Sequence, residues 1–465
     1  MKRILAAVLL LSIYVYAKTP PSTSVVKVFT AASIPNYQYP YQTSQISKYT
    51  GSGAIIGDNR ILTSAHVVSG ARFIEIKKEN DPKRYIASIK YISHQSDLAI
   101  LELKDKSFFV GTNALKLNDN IKIRDEVTVL GYPIGGNTIS TTTGIVSRIE
   151  YRSYVWSGTP LLAIQIDAAI NSGNSGGAVV NNNSELVGIA MMKLNKSSNI
   201  GYIVPAIIIN TFLEDIKDGN VDGFHSDSIS YQNIMSDSVK IFYKLNTRTG
   251  VLITNVGVDE ELIKVNDILL EIDDNQIADN GTIDTKYGRV NFNIIYHTKQ
   301  VGQTVKLKVL RDKKEIVIEY VLKRITQLIN REFGKEPRYI IYGGFVFTPL
   351  TRNYLSSIST SYNLSMLFYE KNKTIDYEEP VVTTSTIFPN EVNRGYYPAS
   401  YVIIKVNDIK IKNFKHLINV LDNIVDEFTV FEFLEKRKVI LNTKDAKDSL
   451  SNIMKIYSLK NDRRE

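Results

Sequence analysis

Short runs of alternating apolar and polar residues fill the chain from Val25 to Pro205. Examples are SGAIIGDNRILTSAHV, SDLAILEL, DEVTVLGYP and ELVGIAM, with Gly, Asn and Asp between the runs. Many short strands at regular spacing are typical of antiparallel β-barrels and sandwiches. The pattern therefore predicts a mainly β region, closed by one helix in PAIIINTFLEDIKDG that begins at Pro205 and ends before Gly219.

A change of composition after Gly223 marks a domain boundary. The chain turns polar in HSDSISYQ and then mixes helical and strand patterns. Its 465 residues correspond to about three domains at the usual domain size. We expect these domains over 18–223, 224–330 and 331–465.

Two segments of the later region share a six-residue string. The string IKVNDI occurs within 262–277 and again within 401–417, and both copies lead into strand-like alternation. We interpret it as a weak internal repeat, with chance similarity as the alternative.

The N-terminus has the pattern of a secretory signal peptide. Lys2 and Arg3 precede an apolar run from Ile4 to about Tyr14, and small residues lead to Ala17. The run is shorter than the roughly 20 residues of a membrane-spanning helix, which remains the alternative. We expect cleavage of residues 1–17, contact with a membrane only during export, and a periplasmic or otherwise exported protein.

Composition narrows the class of protein further. Apolar residues make up 43% and charged residues 22%, the balance of a folded soluble protein. The chain has no cysteine, so buried apolar surface rather than disulfides must stabilise it. The net charge is +8, but the basic residues are scattered, so we expect no nucleic-acid partner.

The segment INSGNSGG contains a candidate nucleophile, Ser175. A serine hydroxyl needs a base in contact and donors for the oxyanion that its attack creates. Gly173 permits a turn that aims the amides of Gly173 and Ser175 into one hole, while Gly176 and Gly177 leave room for substrate.

A base and its orienting group accompany this serine. His66 stands in LTSAHVV after a predicted strand, and Asp97 stands in HQSDLAIL before one. The order His, Asp, Ser resembles that of the chymotrypsin-fold proteases. Within them the chain resembles the HtrA/Deg family through SGAIIGDNRILTSAHVV, SDLAILEL, LGYPIGG, TTTGIVSRIE, IQIDAAINSGNSGGAVVNNNSELVGIAM and NIGYIVP.

The resemblance implies a double β-barrel serine endopeptidase with specific roles for these residues. Ser175 attacks the peptide carbonyl, His66 transfers the proton, Asp97 fixes the imidazole, and Gly173, Asn174 and Ser175 form the oxyanion hole. The alternative for His66 is a satisfied core histidine.

The same resemblance implies a substrate pocket. Ala169, Ile170 and Ile200 would line it, and a shallow apolar pocket favours small aliphatic side chains, because a buried unpaired Lys or Arg costs several kcal/mol. Asp167 resembles a cation-binding specificity residue, but it lies farther from the nucleophile, and we interpret it as structural.

Four other histidines have no predicted catalytic part. His94 is expected in a loop, and His225, His297 and His416 lack Cys or paired carboxylates at ligand spacing. We expect no metal site and no cofactor, and the absence of a GxxxxGKS string favours independence from ATP.

The C-terminal half resembles PDZ domains of HtrA/Deg proteases. RTGVLITNVGVDEELIKVNDILLEIDDNQI is similar to one PDZ stretch, and the chain from about Arg331 is similar to the diverged second PDZ of plant-type Deg proteases. PDZ domains add a peptide to a sheet edge. Here the carboxylate-binding loop would be HSDSI, whose Asp227 repels a carboxylate, so we expect weak C-terminal peptide binding.

The tyrosines of NYQYPYQ form a candidate subunit interface. Tyr37, Tyr39 and Tyr41 are aromatics expected at the surface, and HtrA relatives use this region in trimers. We expect trimers or multiples of trimers, with a flexible leader as the alternative.

The predicted function is ATP-independent degradation of unfolded or damaged exported proteins. The alternatives are a chaperone or scaffold with mostly latent proteolysis and a processing protease for one partner. Loops 151–159 and 192–199 correspond to segments that switch between ordered and disordered sites in relatives, so the sequence leaves the resting state open.

Overall fold

The computed structural model describes residues 21–193, 200–226, 229–257, 260–324, 327–358, 364 and 378–465. The predicted signal peptide, Asp227 and most of the loop 192–199 lie outside these ranges.

The first part of the β-rich region closes into a six-stranded antiparallel barrel. Its strands are β1 (Val25–Ile34), β2 (Gln45–Ile56), β3 (Arg60–Ser64), β4 (Ala71–Lys78), β5 (Tyr85–Ser93) and β6 (Leu98–Leu103). They follow the order β1-β2-β3-β6-β5-β4, and β4 pairs with β1 to close the ring. A single-turn helix, α1 (Ala65–Val68), follows β3, and 3₁₀ turns span Pro21–Ser24 and Lys106–Phe109.

A second closed barrel follows directly. Its strands are β7 (Glu126–Gly131), β8 (Ser140–Ser153), β9 (Pro160–Ile166), β10 (Ala178–Val180), β11 (Leu186–Lys193) and β12 (Gly201–Pro205). The order is β10-β11-β12-β9-β8-β7, closed between β10 and β7. The predicted helix is α2 (Ala206–Asp215), which begins after Pro205, continues as a 3₁₀ turn over Ile216–Asp218 and ends at Gly219 with φ 95°.

The next region is a small α+β domain. Its main sheet contains β13 (Ser230–Asn233), β14 (Val251–Asn255), β15 (Ile268–Ile272), β16 (Asn275–Gln276), β19 (Thr304–Arg311) and β20 (Lys314–Val321). The hairpin β17 (Thr282–Thr285) and β18 (Gly288–Asn291) and the helices α3 (Asp237–Phe242) and α4 (Ile294–His297) complete it. One hydrophobic cluster joins the second barrel, α2 and this domain.

Two four-stranded sheets build the C-terminal region. One contains β21 (Tyr339–Tyr342), β22 (Phe345–Pro349), β23 (Val381–Ile387) and β28 (Arg463–Arg464). The other contains β24 (Ile403–Val406), β25 (Ile409–Lys410), β26 (Phe428–Phe433) and β27 (Lys438–Asn442). The described helices here are α5 (Arg352–Ser357), α6 (Phe414–Asn423) and α7 (Thr443–Ile456).

The interpretation of IKVNDI as a repeat is wrong in its register. The first copy forms the turn before β15 and ends on the first residue of that strand, whereas the second copy forms most of β24 and the turn into β25. The hairpin turn equivalent to Asn407 and Asp408 is formed in the earlier domain by Asp273 and Asp274, and all four residues have positive φ. The shared letters therefore occupy different structural positions.

The N-terminal tyrosines contact the C-terminal region of the same chain. The Tyr41 ring packs edge-on against Phe388 with centroids 5.0 Å apart, and Tyr37 donates a hydrogen bond to the Lys335 carbonyl at 3.0 Å. This segment is thus anchored within one chain, and the trimer stays a prediction. Among the described residues, no helix combines the length and apolarity that membrane crossing requires.

Candidate active site

Two turns of the first barrel bring His66 and Asp97 together. His66 lies in α1 directly after β3, and Asp97 ends the turn before β6, which pairs with β3. The His66 Nδ1 and Asp97 Oδ2 atoms are 2.7 Å apart, and the His66 backbone amide donates to Asp97 Oδ1 at 2.9 Å. The carboxylate therefore fixes both the ring and the backbone of His66.

The surroundings of Asp97 restrict its movement. Its side chain is 0% exposed, its φ is 56°, and its carbonyl accepts a hydrogen bond from the Ala65 amide. A non-glycine residue in left-handed backbone conformation is held there by its contacts. This turn fixes the distance between carboxylate and imidazole.

The pair alters the acidity of the imidazole. Burial disfavours the charged form of His66, but attraction to Asp97 and their hydrogen bond outweigh it, so the pKa lies above the ordinary value of 6.5. The imidazole is 19% exposed, which leaves it accessible from the cleft.

Ser175 lies across the cleft from this pair, between the two barrels. Its backbone carbonyl accepts a hydrogen bond from Ser52 of β2, and its Oγ donates to the Met191 carbonyl of β11 at 3.0 Å. Within the described ranges, no hydrogen bond joins Ser175 Oγ to His66. The Ser175 hydroxyl must therefore leave the Met191 carbonyl before it can pass its proton to any base.

The backbone before Ser175 turns at Gly173, which has a left-handed conformation. Gly173 has φ 100°, and a Cβ there would lie 2.5 Å from the Tyr132 carbonyl, so only glycine fits. The Gly173 carbonyl accepts from Ser52 Oγ at 2.8 Å, and the Asn174 amide donates to Asn171. The amides of Gly173 and Ser175 donate no hydrogen bond to any described residue.

Asn174 therefore differs from the predicted set of oxyanion donors. Its amide is already bonded, and its side chain is buried, with Oδ1 lacking a hydrogen-bond partner among the described residues. The amides of Gly173 and Ser175 differ from that of Asn174 because they have no acceptor among the described residues.

Sequence reasoning missed Ser52, which organises this loop. Its amide binds the Ser175 carbonyl, its hydroxyl binds the Gly173 carbonyl, and the same oxygen accepts from the Tyr132 amide at 2.8 Å. In sequence it is one small residue in the strand segment SGAII, and nothing there indicates contacts more than a hundred residues away.

The predicted pocket residues lie on the second barrel. Ile170 is buried and packs beside Gly201, where a Cβ would come 2.7 Å from Ile170 Cδ1, and Ile200 packs on the same hydrophobic cluster. Ala169 is half-buried, and its carbonyl accepts from Thr142. Asp167 is exposed and accepts from the Ile145 amide at 2.6 Å.

The other histidines have structural contacts. His297 Nδ1 lies 2.7 Å from the Tyr151 hydroxyl, and His225 Nδ1 lies 2.7 Å from the Lys323 carbonyl. His94 stacks on Phe333, and burial lowers its pKa to about 4. Across the described ranges, no group of three or more His, Cys, Asp or Glu side chains is arranged to hold a metal ion.

One edge of the sheet in the small α+β domain is β13. An apolar cavity of about 40 Å³ lies beneath this edge, lined by side chains that include Ile229, Tyr231 and Phe292. The loop before β13 includes residues that the structure does not describe.

Two known domain families match parts of this chain. The pattern of the trypsin-like peptidase domain matches residues 51–189, and that of the PDZ domain matches residues 329–465. The mitochondrial protease Do-like 3 of Arabidopsis thaliana is 38% identical over 441 residues, covering 93% of this chain and 78% of that protein. The chain belongs to the Do-like, or HtrA/Deg, protease family.

Other Do-like proteases match over a similar extent. The chloroplastic protease Do-like 2 of Arabidopsis thaliana is 32% identical over 451 residues, covering 95% of this chain and 74% of that protein. A solved HtrA-type protease, AlgW with tripeptide, has 23% identity and a TM-score of 0.51 over 65% of this chain and 94% of that chain, a likeness of fold. The predicted mainly β fold and serine endopeptidase class are confirmed.

Proposed function

We propose that the protein hydrolyses peptide bonds of unfolded or damaged proteins through a Ser175 acyl-enzyme, without ATP. The observation that carries this proposal is the 2.7 Å contact between His66 and the buried Asp97. A second observation supports it: the amides of Gly173 and Ser175 donate no hydrogen bond to any described residue. A buried carboxylate that orients an imidazole is the arrangement that activates a serine hydroxyl.

The first chemical step is attack on the scissile carbonyl. Ser175 Oγ turns from the Met191 carbonyl towards His66, passes its proton to Nε2 and bonds to the carbonyl carbon. Asp97 stabilises the imidazolium through Nδ1, while the amides of Gly173 and Ser175 bind the oxyanion.

The second half of the reaction restores the enzyme. Collapse of the tetrahedral intermediate breaks the C–N bond, and His66 gives its proton to the leaving amine. A water molecule then attacks the acyl ester with His66 as base, and the carboxylic acid product leaves as Ser175 recovers its proton.

The substrate class follows from the pocket and the appended domains. A pocket bounded by Ala169, Ile170 and Ile200 has no carboxylate to pair a cation and favours Val, Ala or Ile at the attacked residue.

We propose domain limits at 223 and 330, a trimer or a multiple of it, and weak C-terminal peptide binding by the first PDZ-like domain.

We also propose that residues 1–17 direct export. Two relatives are named mitochondrial and chloroplastic, so an organelle is the alternative destination to a bacterial periplasm. N-terminal sequencing of the mature protein distinguishes cleavage after Ala17 from other processing.

A chaperone with latent proteolysis is the second candidate function. It is favoured by one contact, the hydrogen bond from Ser175 Oγ to Met191, which leaves the hydroxyl turned from its base. A mostly latent enzyme would suppress aggregation of an unfolded protein at concentrations where it cleaves little of it.

Casein cleavage without ATP tests the proposal. Ser175→Ala should lower turnover by roughly 10⁴-fold or more. Ser88→Ala, an exposed serine on β5, is the matched control and should cleave like the wild type. Equal cleavage by Ser175→Ala would rule out the acyl-enzyme, and aggregation suppression without cleavage by the wild type would favour the chaperone.

A further inference from the structure

The connection between the two PDZ-like regions passes beside the catalytic histidine. Gly334 meets Gly70 of the first barrel so closely that a Cβ on Gly334 would lie 2.8 Å from the Gly70 Cα. Next to it, Arg331 donates to the Trp156 carbonyl at 2.5 Å. Residues 331–334, which we name the crossing segment, are thus held against both barrels.

Phe333 of the crossing segment completes an aromatic cluster. Its ring stacks on His94 with centroids 4.0 Å apart and planes 7° apart, and it lies 5.2 Å from the Trp156 ring. Trp156 Nε1 donates to His94 Nδ1 at 3.3 Å, and the Trp156 ring is 6.1 Å from that of His66. A continuous aromatic surface therefore runs from Phe333 to the catalytic base.

This surface borders a cleft of about 590 Å³. His66 forms part of its wall together with Trp156 and Phe333, and Tyr37 and Tyr49 are also among the lining residues. The volume lies within the roughly 300–1,000 Å³ range of binding sites. Its lining includes none of the predicted primary pocket residues Ala169, Ile170 and Ile200, so it is a separate site.

A peptide held for attack by Ser175 must lie against His66, because this imidazole takes the proton. The side chain of a residue next to the attacked one then faces either solvent or this cleft. Aromatic walls favour a large apolar or aromatic side chain there, through buried area and ring contacts.

We propose that the crossing segment forms a wall of the substrate cleft and that Phe333 determines specificity for a bulky apolar side chain adjacent to the attacked residue. The proposal rests on the proposed function. It assigns the connection between two PDZ-like regions a direct part in choosing the cleavage site.

The test uses the full chain and quenched peptides with Val at the attacked position. The residues on either side are varied one at a time among Ala, Leu, Phe and Trp. For one of these positions, the wild type should prefer Phe or Trp, and Phe333→Ala should reduce that preference over Ala roughly tenfold. Phe333→Leu should keep part of it.

Two further measurements separate specificity from damage to the site. A small fluorophosphonate that labels Ser175 should react with wild type and Phe333→Ala at equal rates, because it does not reach the cleft. Phe242→Ala, an exposed phenylalanine on α3, is the matched control and should leave the peptide preference unchanged.

If Phe333→Ala keeps the wild-type preference for Phe or Trp, the proposal is overturned. It is also overturned if Phe333→Ala loses both fluorophosphonate labelling and peptide cleavage, because that result indicates a structural role for Phe333. A wild type that is neither labelled nor active would instead contradict the proposed function itself.

Discussion

Asp97 and Ser52, two side chains of the first barrel, position different groups of the proposed active site. Asp97 fixes the base through two hydrogen bonds, and Ser52 holds the loop before the nucleophile through its amide and hydroxyl. Asp97 contacts the imidazole ring itself, whereas Ser52 contacts Gly173 and Ser175 through their backbone carbonyls. Ser52 acts through the backbone of Gly173 and is a positioning residue.

We predict that Ser52→Ala lowers kcat roughly tenfold to hundredfold with little change in KM. The Gly173 carbonyl loses its donor, so the peptide can turn and withdraw an oxyanion amide, whose full loss costs about 10²–10³-fold. Steady-state kinetics on a quenched peptide measure the effect. Ser52→Cys should recover part of the rate, and Ser47→Ala on the same strand is the control; a change confined to KM would contradict this role.

The pH dependence of kcat/KM should reveal the His66–Asp97 pair. The neutral imidazole is the base, so activity should rise with pH through a midpoint above 6.5, where attraction to Asp97 places the pKa of His66. Asp97→Asn removes this attraction, so the midpoint should move to lower pH while kcat falls about 10⁴-fold. A midpoint that stays in place would exclude His66 as the titrating group.

The proposed primary pocket lies where the loop before Ser175 approaches β12. The loop before Ser175 presents Ile170 to β12, where Gly201 leaves room for the isoleucine only because it lacks a Cβ. In the proposed pocket, Ile170 would therefore set the depth.

Ile170→Ala should deepen the pocket and shift its preference. We expect selectivity for Leu over Val at the attacked residue to rise roughly tenfold, since methylene-sized differences in apolar pockets are worth about 1–3 kcal/mol. Cleavage-site profiling of an unfolded protein checks this. Ile145→Ala on β8 is partly exposed and serves as the control, and an unchanged profile would place the pocket elsewhere.

Across the whole molecule, Glu336 joins three separate parts of the chain. Its carboxylate accepts from Ser44 Oγ at 2.6 Å and from Ser33 Oγ at 3.3 Å, and it lies within 4 Å of the guanidinium groups of Arg72 and Arg464. The connection from β1 to β2 (residues 35–44), strands β1 and β4 of the first barrel and the last strand therefore meet at one carboxylate.

Replacing this carboxylate should loosen the connection from β1 to β2. Hydrogen bonds to charged groups contribute about 1.5–3 kcal/mol, so Glu336→Ala should speed amide exchange in 36–44 by roughly tenfold or more. Exchange measured by mass spectrometry gives this directly, with the exposed Glu391→Ala as control. Equal protection in both variants would show that aromatic packing alone anchors the segment.

The sequence predicts those features that local patterns determine. Alternation gives the barrels, Pro205 and Gly219 delimit α2, and the residue types around His66, Asp97 and Ser175 indicate their chemistry. Ser52 and Phe333 escape prediction because their partners are distant in sequence, and no short pattern carries such contacts. The IKVNDI repeat fails for a related reason, since six shared residues do not determine which turn they form.

The contact between Gly70 and Gly334 has a consequence for sequence change within the family. Both residues have left-handed φ, and a Cβ on Gly334 would clash with the Gly70 backbone, whereas a Cβ on Gly70 would lie 3.4 Å from the Gly334 Cα. A relative that replaces Gly334 therefore loses this close approach. Glycine at both sites would then identify those relatives in which the connection lies beside the histidine equivalent to His66.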